Sequence, residues 1–310
     1  MKVVLCAILR TENRYLAEWL DYHLNLGFDH IYLCDNAQEG EERAEEIVNA
    51  DPKYKDVVTV FPYFNLKAQQ VKAYTECYKE RGLVFDWMAF LDIDEFLTFS
   101  NNSTYCNIHD YLDDMKDADE VLLNWMTFGD NGWVKDNGQC LLERFTTPLP
   151  LNFSPYNIFG KNPYNCHVKQ LLRNGLPVSK ILPHASEPII GHELRVVDGD
   201  GQQISPIAIQ PKYTFLTCYV RHFYTKSIEE FIKGKLSRRV GGDRDCVLYD
   251  LSMFFLYNRI TMKKLKIYNE ASLYYECVPK SFMWWIKQTI KMYLIVPLMY
   301  VFEKKSLVSR

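Results

Sequence analysis

The chain has 310 residues, of which 48% are hydrophobic, 24% charged and 15% aromatic. That balance excludes wholesale disorder and a collagen-like repeat, and the length allows one large domain or two ordinary ones. The net charge of −3 excludes a chain-wide basic field, so no nucleic-acid partner is expected.

The charge is uneven. From residue 279 to 310 six Lys/Arg stand against one Glu, a net of +5, which leaves −8 for residues 1–278. The nine cysteines are scattered and form no C-x-x-C pair. They read as reduced thiols of a cytosol-like compartment, not as a disulfide framework or a zinc site. The N-terminal apolar run is short and lacks a small-residue cleavage site, so it reads as a first strand and not a signal peptide. No uncharged apolar stretch reaches the ~18 residues of a clear transmembrane helix.

Val3–Leu9 is a continuous apolar run, as a parallel strand covered on both faces should be. Residues 11–14 start a helix, in which Leu16, Trp19, Leu20, His23 and Leu24 recur at helical spacing. Gly27 stands where a C-terminal cap belongs. Residues 30–34 predict the second strand, 41–49 a charged helix and 57–61 a third strand. Residues 67–81 predict a helix, 87–91 a fourth strand and 121–125 another. Strands separated by helices imply an α/β fold with a doubly wound, mainly parallel sheet. Ligands of such sheets bind beyond the carboxyl ends of the strands. That directs attention to residues 10–13, 35–36, 62–65 and 92–95. Residues 127–220 are Pro-, Gly- and Asn-rich and predict loops with short antiparallel strands. Helices are expected again at 227–236 and 247–259.

Asp92-Ile93-Asp94-Glu95-Phe96 is the sharpest chemical signal. Two carboxylates spaced by one residue in extended chain point to the same side. Mg²⁺ or Mn²⁺ takes such oxygens together with substrate phosphates and neutralises a departing diphosphate. The bland alternative is a solvated turn. A rival chemical use is the nucleophile of haloacid-dehalogenase phosphatases, which usually ends the first strand and continues to Thr or Val, where this chain has Glu95.

Residues 4–36, 70–77, 87–96 and 221–231 together resemble nucleotide-sugar glycosyltransferases of the GT-A fold, nearest to glycosyltransferase families 2 and 92. The resemblance covers about 3–245. It implies that Asp92 and Asp94 form the metal-binding Asp-x-Asp motif, Asp94 being the more direct ligand and Asp92 also facing the donor. It implies that Thr11, Glu12 and Asp35 surround the nucleotide, and that the sugar is transferred with inversion.

His222 follows the apolar run 215–220, and imidazole suits a third ligand position for Mn²⁺. A late histidine has that role in the transferases it resembles; a structural histidine is the alternative. Lys226 begins a basic cluster and is the expected diphosphate contact, while most of its neighbours read as a solvated helix face. Inverting transfer needs a base for the acceptor hydroxyl. Asp243, on a Gly-Gly-Asp turn, is the first candidate, with Glu187 and Asp130 as rivals. Trp125, Phe128, Trp133 and Tyr156 offer stacking faces for sugars, although core packing is the commoner use, above all for Trp125 in a strand.

Three segments are expected: a catalytic domain at 1–245, a helical extension at 246–280 and a basic amphipathic tail at 281–310. The tail's longest uncharged run, 292–302, is 11 residues. Paired Trp284 and Trp285 with nearby lysines suit a helix lying in a headgroup region, and a helix packed on the domain is the alternative. The expected function is a Mn²⁺- or Mg²⁺-dependent inverting transferase. Its donor is a UDP-sugar and its acceptor a glycan or lipid-linked glycan of surface polysaccharide assembly. The expected location is cytoplasmic, peripheral on the inner face of the cell membrane. A metal-dependent phosphohydrolase and a non-catalytic nucleotide-sugar or glycan-binding protein are the competing classes.

Overall fold

The computed structural model describes residues 1–81, 84–151, 153, 164–236, 254, 257 and 258. The chain divides into two compact units, 1–126 with 165–222 and 127–164 with 223–310.

In the first unit β1 (Val3–Leu9) lies parallel to β2 (His30–Asp35) on one side and to β4 (Trp87–Phe90) on the other. β3 (Val58–Pro62) extends the parallel set beyond β2. Helices α1 (Asn13–Asn25), α2 (Ala44–Ala50) and α3 (Gln70–Glu80) make the three crossovers. Beyond β4 the sheet turns mixed. β7 (Val168–Arg173) runs antiparallel to β4 and to β6 (Glu120–Phe128). β11 (Cys218–Phe223) runs antiparallel to the edge strand β5 (Glu95–Phe99), and α4 (Ile108–Asp114) lies between β5 and β6 in the chain. Among the described residues the sheet has nine strands, in the order β3-β2-β1-β4-β7-β6-β11-β5, with β10 (Val196–Asp198) paired to β6. A separate hairpin joins β8 (Val178–Ile181) to β9 (Ser186–Pro188). The helix-flanked α/β class is the one expected.

The continuous apolar run of β1 exists because both faces of the sheet are covered. Val4 and Cys6 pack with Tyr32, Cys34 and the α3 residues Ala73, Tyr74 and Cys77. Val3, Leu5 and Ala7, on the opposite face, are equally buried. Helix α1 ends as read. Gly27 takes φ +101°, its N–H reaches Leu24 O at 3.1 Å, and the Phe28 N–H reaches His23 O at 3.2 Å. This crossed pair of bonds satisfies the last carbonyls and needs a left-handed residue, which glycine supplies without strain.

Edge strand β5 follows the acidic turn directly and was not read as a strand. Its backbone is occupied by side chains of α1. Trp19 Nε1 donates to Glu95 O at 2.8 Å, the Tyr22 hydroxyl to Leu97 O at 2.8 Å, and His23 Nε2 accepts from Leu97 N at 3.3 Å. Those contacts cover groups that would otherwise invite another strand. Burial pushes His23 down to about 3, which keeps this imidazole neutral. Helix α3 starts at Gln70 and not at 67, because Asn65 and Ala68 adopt left-handed φ of 58° and 52°. α2 likewise starts at Ala44, three residues later than read.

In the second unit Ser227 caps α6 (Ile228–Phe231), accepting from Glu230 N at 3.3 Å, while Glu230 Oε2 accepts from Ser227 N at 3.0 Å. Glu230 also binds Arg144 of α5 (Leu141–Arg144) through two bonds of 2.9 and 2.6 Å, with both side chains buried. The helix predicted at 227–236 continues as a π-helix over Ile232–Leu236. Of the helix predicted at 247–259 only 254, 257 and 258 are described, and these are helical. The tail at 281–310 lies outside the described residues.

Glu120 opens β6 fully buried. Its Oε1 accepts from Ser186 N at 2.7 Å and its Oε2 has no hydrogen-bond partner. Burial pushes its carboxyl up to about 7. The unfolded chain releases this proton near the ordinary carboxyl pKa of about 4.3, so the native state binds more protons between there and about 7. Stability therefore falls as pH rises through that window and levels off above it. Glu120→Gln should flatten this slope by up to about 3 kcal/mol. Urea unfolding of both proteins at about pH 5 and about pH 8 measures it, and an unchanged slope would refute the assignment.

Candidate active site

β4 ends at Phe90, and the buried Leu91 leads into a turn before β5 begins at Glu95. The turn is tied twice: Glu95 N donates to Asp92 O at 3.0 Å, and Asp92 N donates to Glu95 Oε2 at 2.9 Å. Because the segment turns, Asp92 and Asp94 do not act as a same-side pair on extended chain. Asp92 Oδ1 accepts from Gln70 Nε2 at 2.9 Å and from the Tyr74 hydroxyl at 3.2 Å. Those donors are four residues apart on one face of α3. Asp92 Oδ2 accepts from Lys169 Nζ at 2.8 Å. Asp94 is only 4% exposed, and its Oδ1 is 3.6 Å from His222 Nε2.

His222 reaches this place through strand register. β11 extends to Phe223, so His222 sits inside the strand and not after it, directly opposite Glu95. The Trp125 ring lies 4.2 Å from the His222 ring. On its own borders Trp125 meets His167, stacked at 5.2 Å, and His184, edge-on at 5.1 Å. It is buried in β6, the core use expected of it.

Lys169 has no solvent-exposed side-chain surface, and it also pairs with Glu95 at 3.1 Å. Burial alone would lower its pKa, but Asp92 and Glu95 outweigh burial and raise it. Burial, with the charges of Asp92 and Asp94 adding to it, raises Glu95 to about 8 against the lowering effect of Lys169. Glu95 Oε1 has no hydrogen-bond partner and lies 3.9 Å from His222 Nε2.

This donor set fits a hard divalent cation in part. Asp94 and His222 offer an oxygen and a nitrogen at a separation two ligands of one ion can have. Asp92 lies apart from this pair, its oxygens accepting from Gln70, Tyr74 and Lys169. Among the described residues, the donor atoms of Asp92, Asp94 and His222 do not come within a common 4.8 Å.

Thr11, Glu12 and Asp35 gather at the carboxyl ends of β1 and β2, where Leu9 pairs with Asp35. Thr11 takes φ 55°, rare for a β-branched residue, and its buried Oγ1 has no hydrogen-bond partner. Glu12 is 8% exposed. Asp35 accepts from Ala37 N at 2.9 Å and from Ala44 N at 2.8 Å, so its carboxylate already holds the chain that enters α2. Glu187 is exposed on β9. Lys226 and Asp130 belong to the second unit, both buried, Lys226 with φ 56°. Asp243 and Tyr156 lie outside the described residues.

Sequence reading missed Lys169 and the part played by Glu95. The available signal was a polar pair, Lys169-Gln170, between the apolar Val168 and Leu171-Leu172 of β7. Gln70 and Tyr74 lay inside a stretch that carried the family resemblance, without an assigned role.

Residues 2–139 match the family model of glycosyltransferase family 92. A glycosyltransferase family 92 protein of Oryza sativa subsp. japonica is 31% identical over 99 residues, 32% of this chain and 16% of the relative. One of Ricinus communis is 31% identical over 98 residues, 31% of this chain and 17% of its own length. The matched segment thus spans about a sixth of these relatives' length. Among solved structures, S. aureus TarS 1-349 in complex with UDP-GlcNAc is similar at a TM-score of 0.38 and 12% identity, over 90% of this chain and 82% of that one. The resemblance to family 92 stands for residues 2–139, a shorter reach than the 3–245 read from the sequence.

Removing one member of a buried ion cluster strands the others. Lys169→Met should cost about 3–5 kcal/mol, because Asp92 and Glu95 lose their cation. Adding Glu95→Gln should return part of that loss. Chemical denaturation of the single and double variants measures both, and a Lys169→Met protein as stable as the parent would overturn the ion-cluster reading.

Proposed function

We propose that this chain is a glycosyltransferase that moves a sugar from a nucleoside-diphosphate donor, with UDP as the nucleotide, to a hydroxyl of a glycan acceptor. The observation that carries the reading is the buried Asp94–His222 pair beside the acidic turn, with Asp94 inside the segment that matches family 92. The family resemblance favours transfer over phosphate hydrolysis or mere binding.

Asp94 and His222 would hold Mn²⁺ or Mg²⁺, with diphosphate oxygens filling the remaining positions. Such an ion, when bound, neutralises the charge that develops on the leaving diphosphate. Lys169 keeps Asp92 and Glu95 in place, and Trp125 fixes the ring of His222. Thr11, with its strained backbone and buried hydroxyl, is the residue at the end of β1 best suited to a nucleotide contact. Lys226 is assigned to the diphosphate and Asp243 to the acceptor proton, both on the sequence and the resemblance alone. Direct displacement by the deprotonating hydroxyl inverts the anomeric centre.

Acceptor-dependent release of UDP from a panel of UDP-sugars, with and without Mn²⁺, tests the proposal. Asp94→Asn should abolish release in a folded protein, because the ligand charge goes while the size stays. Asp243→Asn should lower kcat far more than donor affinity. Wild-type turnover by folded Asp94→Asn would sink the metal assignment, and an unchanged kcat for Asp243→Asn would move the base to Asp130 or Glu187.

The acceptor is assigned to a lipid-linked glycan at the inner face of the membrane, supported by the cationic, Trp-containing composition of 281–310. Full-length protein should sediment with anionic liposomes and leave them in high salt or after truncation at Val278. Equal sedimentation of both forms would refute that contact.

A further inference from the structure

Three cysteines far apart in sequence meet inside the first unit. Cys6 and Cys34 stand on the α3 side of β1 and β2, and Cys77 lies on the sheet-facing side of α3. The strand register makes the first two diagonal neighbours, since Cys6 pairs with Tyr32 and Cys34 with Ile8. All three side chains have no solvent exposure. Their Sγ atoms all lie within 4.8 Å of one another, and Cys34 Sγ to Cys77 Sγ is 3.4 Å.

We propose that Cys6, Cys34 and Cys77 form a three-thiolate site for a soft monovalent cation of the Cu⁺ class. A cation about 2.3 Å from each of three sulfurs sets them about 4 Å apart, which matches the observed span. Soft thiolates select soft metals such as Cu⁺. Zn²⁺ seeks four ligands, and among the described residues no further His, Cys, Asp or Glu donor joins the three. A dry site with three sulfurs therefore favours an ion content with three ligands.

Metal ligands must lose their protons, and the surroundings favour this at one of them. Hydrogen bonds from Cys34 and then Cys6 hold the Cys77 thiol below its ordinary value, and the charge of Arg81 lowers it further. Burial raises Cys6 instead. Cys34 is raised too: its bond to Cys6 lowers it, but its bond to Cys77 and burial outweigh that. Binding would expel the remaining thiol protons to solvent as three S–Cu bonds form, with no change of oxidation state. The product carries net negative charge, and the Arg81 guanidinium is the cation beside it. Arg81 Nη2 donates to the Tyr63 hydroxyl at 2.7 Å and to Glu76 Oε2 at 3.4 Å, and its Cζ lies 4.3 Å from the centre of the Phe61 ring. Its buried Nε–H has no hydrogen-bond partner.

The test is titration of the reduced full-length protein with Cu⁺ under anaerobic conditions, against a competing Cu⁺ chelator, with Zn²⁺ in a parallel arm. Stoichiometric Cu⁺ uptake is expected. It should be lost in Cys34→Ser and Cys77→Ser and kept in Cys106→Ser, whose thiol is exposed and outside the cluster. X-ray absorption of the wild-type copper form should show three sulfur neighbours and no nitrogen, a readout independent of how the serine variants fold. Uptake that survives Cys77→Ser, a copper shell with fewer sulfurs, tighter retention of Zn²⁺ than of Cu⁺, or no uptake by the wild type would each overturn the proposal.

Discussion

Three carboxylates, Asp92, Asp94 and Glu95, crowd into four consecutive residues at the buried end of a strand. Like charges held close together away from water repel one another. The chain meets this with Lys169, which is fully buried and touches two of the three. The lysine arrives there through sheet topology. β7 enters antiparallel beside β4, and Phe90 pairs with Gln170. Lys169 is therefore one residue past the last paired position, level with the turn. A compact ammonium suits that narrow place better than a planar guanidinium would. The mixed half of the sheet thus exists, from the standpoint of the site, to deliver one cation to the end of the parallel half.

That cation divides the two aspartates. Asp92 spends its oxygens on Lys169, Gln70 and Tyr74, and so fixes α3 and β7 to the turn. Asp94, carried around the turn, meets His222 instead. One ammonium serves three carboxyl groups, of which burial drives Glu95 toward its protonated form. The neighbourhood of Asp94 and His222 therefore remains one in which further positive charge is favoured. This gives the metal proposal an electrostatic reason that does not depend on the Asp-x-Asp pattern.

Much of the scaffold was legible because its signals are local. β1 showed as an unbroken apolar run, the α1 face as a helical period, and the α1 stop as Gly27. The Ser227 start of α6 was also legible, and Ser227 with Glu230 closes a capping box there. What was not legible depends on which strands pair. β5 carries Glu95 at its head and no alternating pattern of its own, so its strand character comes from β11 and from the α1 side chains on its edge. Lys169 looks like a solvated strand residue until β7 pairs with β6 and brings it level with the acidic turn. His222 was recognised by its residue type, but its placement one strand-pair from Glu95 required the register. The start of α3 was misjudged because left-handed Asn65 and Ala68 are not residues whose type demands that conformation.

Helix α3 links the two polar clusters of the first unit. Gln70 and Tyr74 face Asp92 from its first turns, and Cys77, three residues past Tyr74, faces Cys6 and Cys34. The same helix buries the apolar Ala73 between them, and the hydroxyl of the buried Tyr78 donates to Arg173 O at 2.6 Å. An apolar face tolerates such groups only when each finds a partner. Here the partners are themselves fixed by strands β1, β2, β4 and β7, so one rotation and one axial position of α3 satisfies them all. A slip of a single residue would turn Cys77 away from the sheet and withdraw both donors from Asp92. The polar residues of α3 therefore specify its register on the sheet, while its apolar residues supply the burial that holds it there.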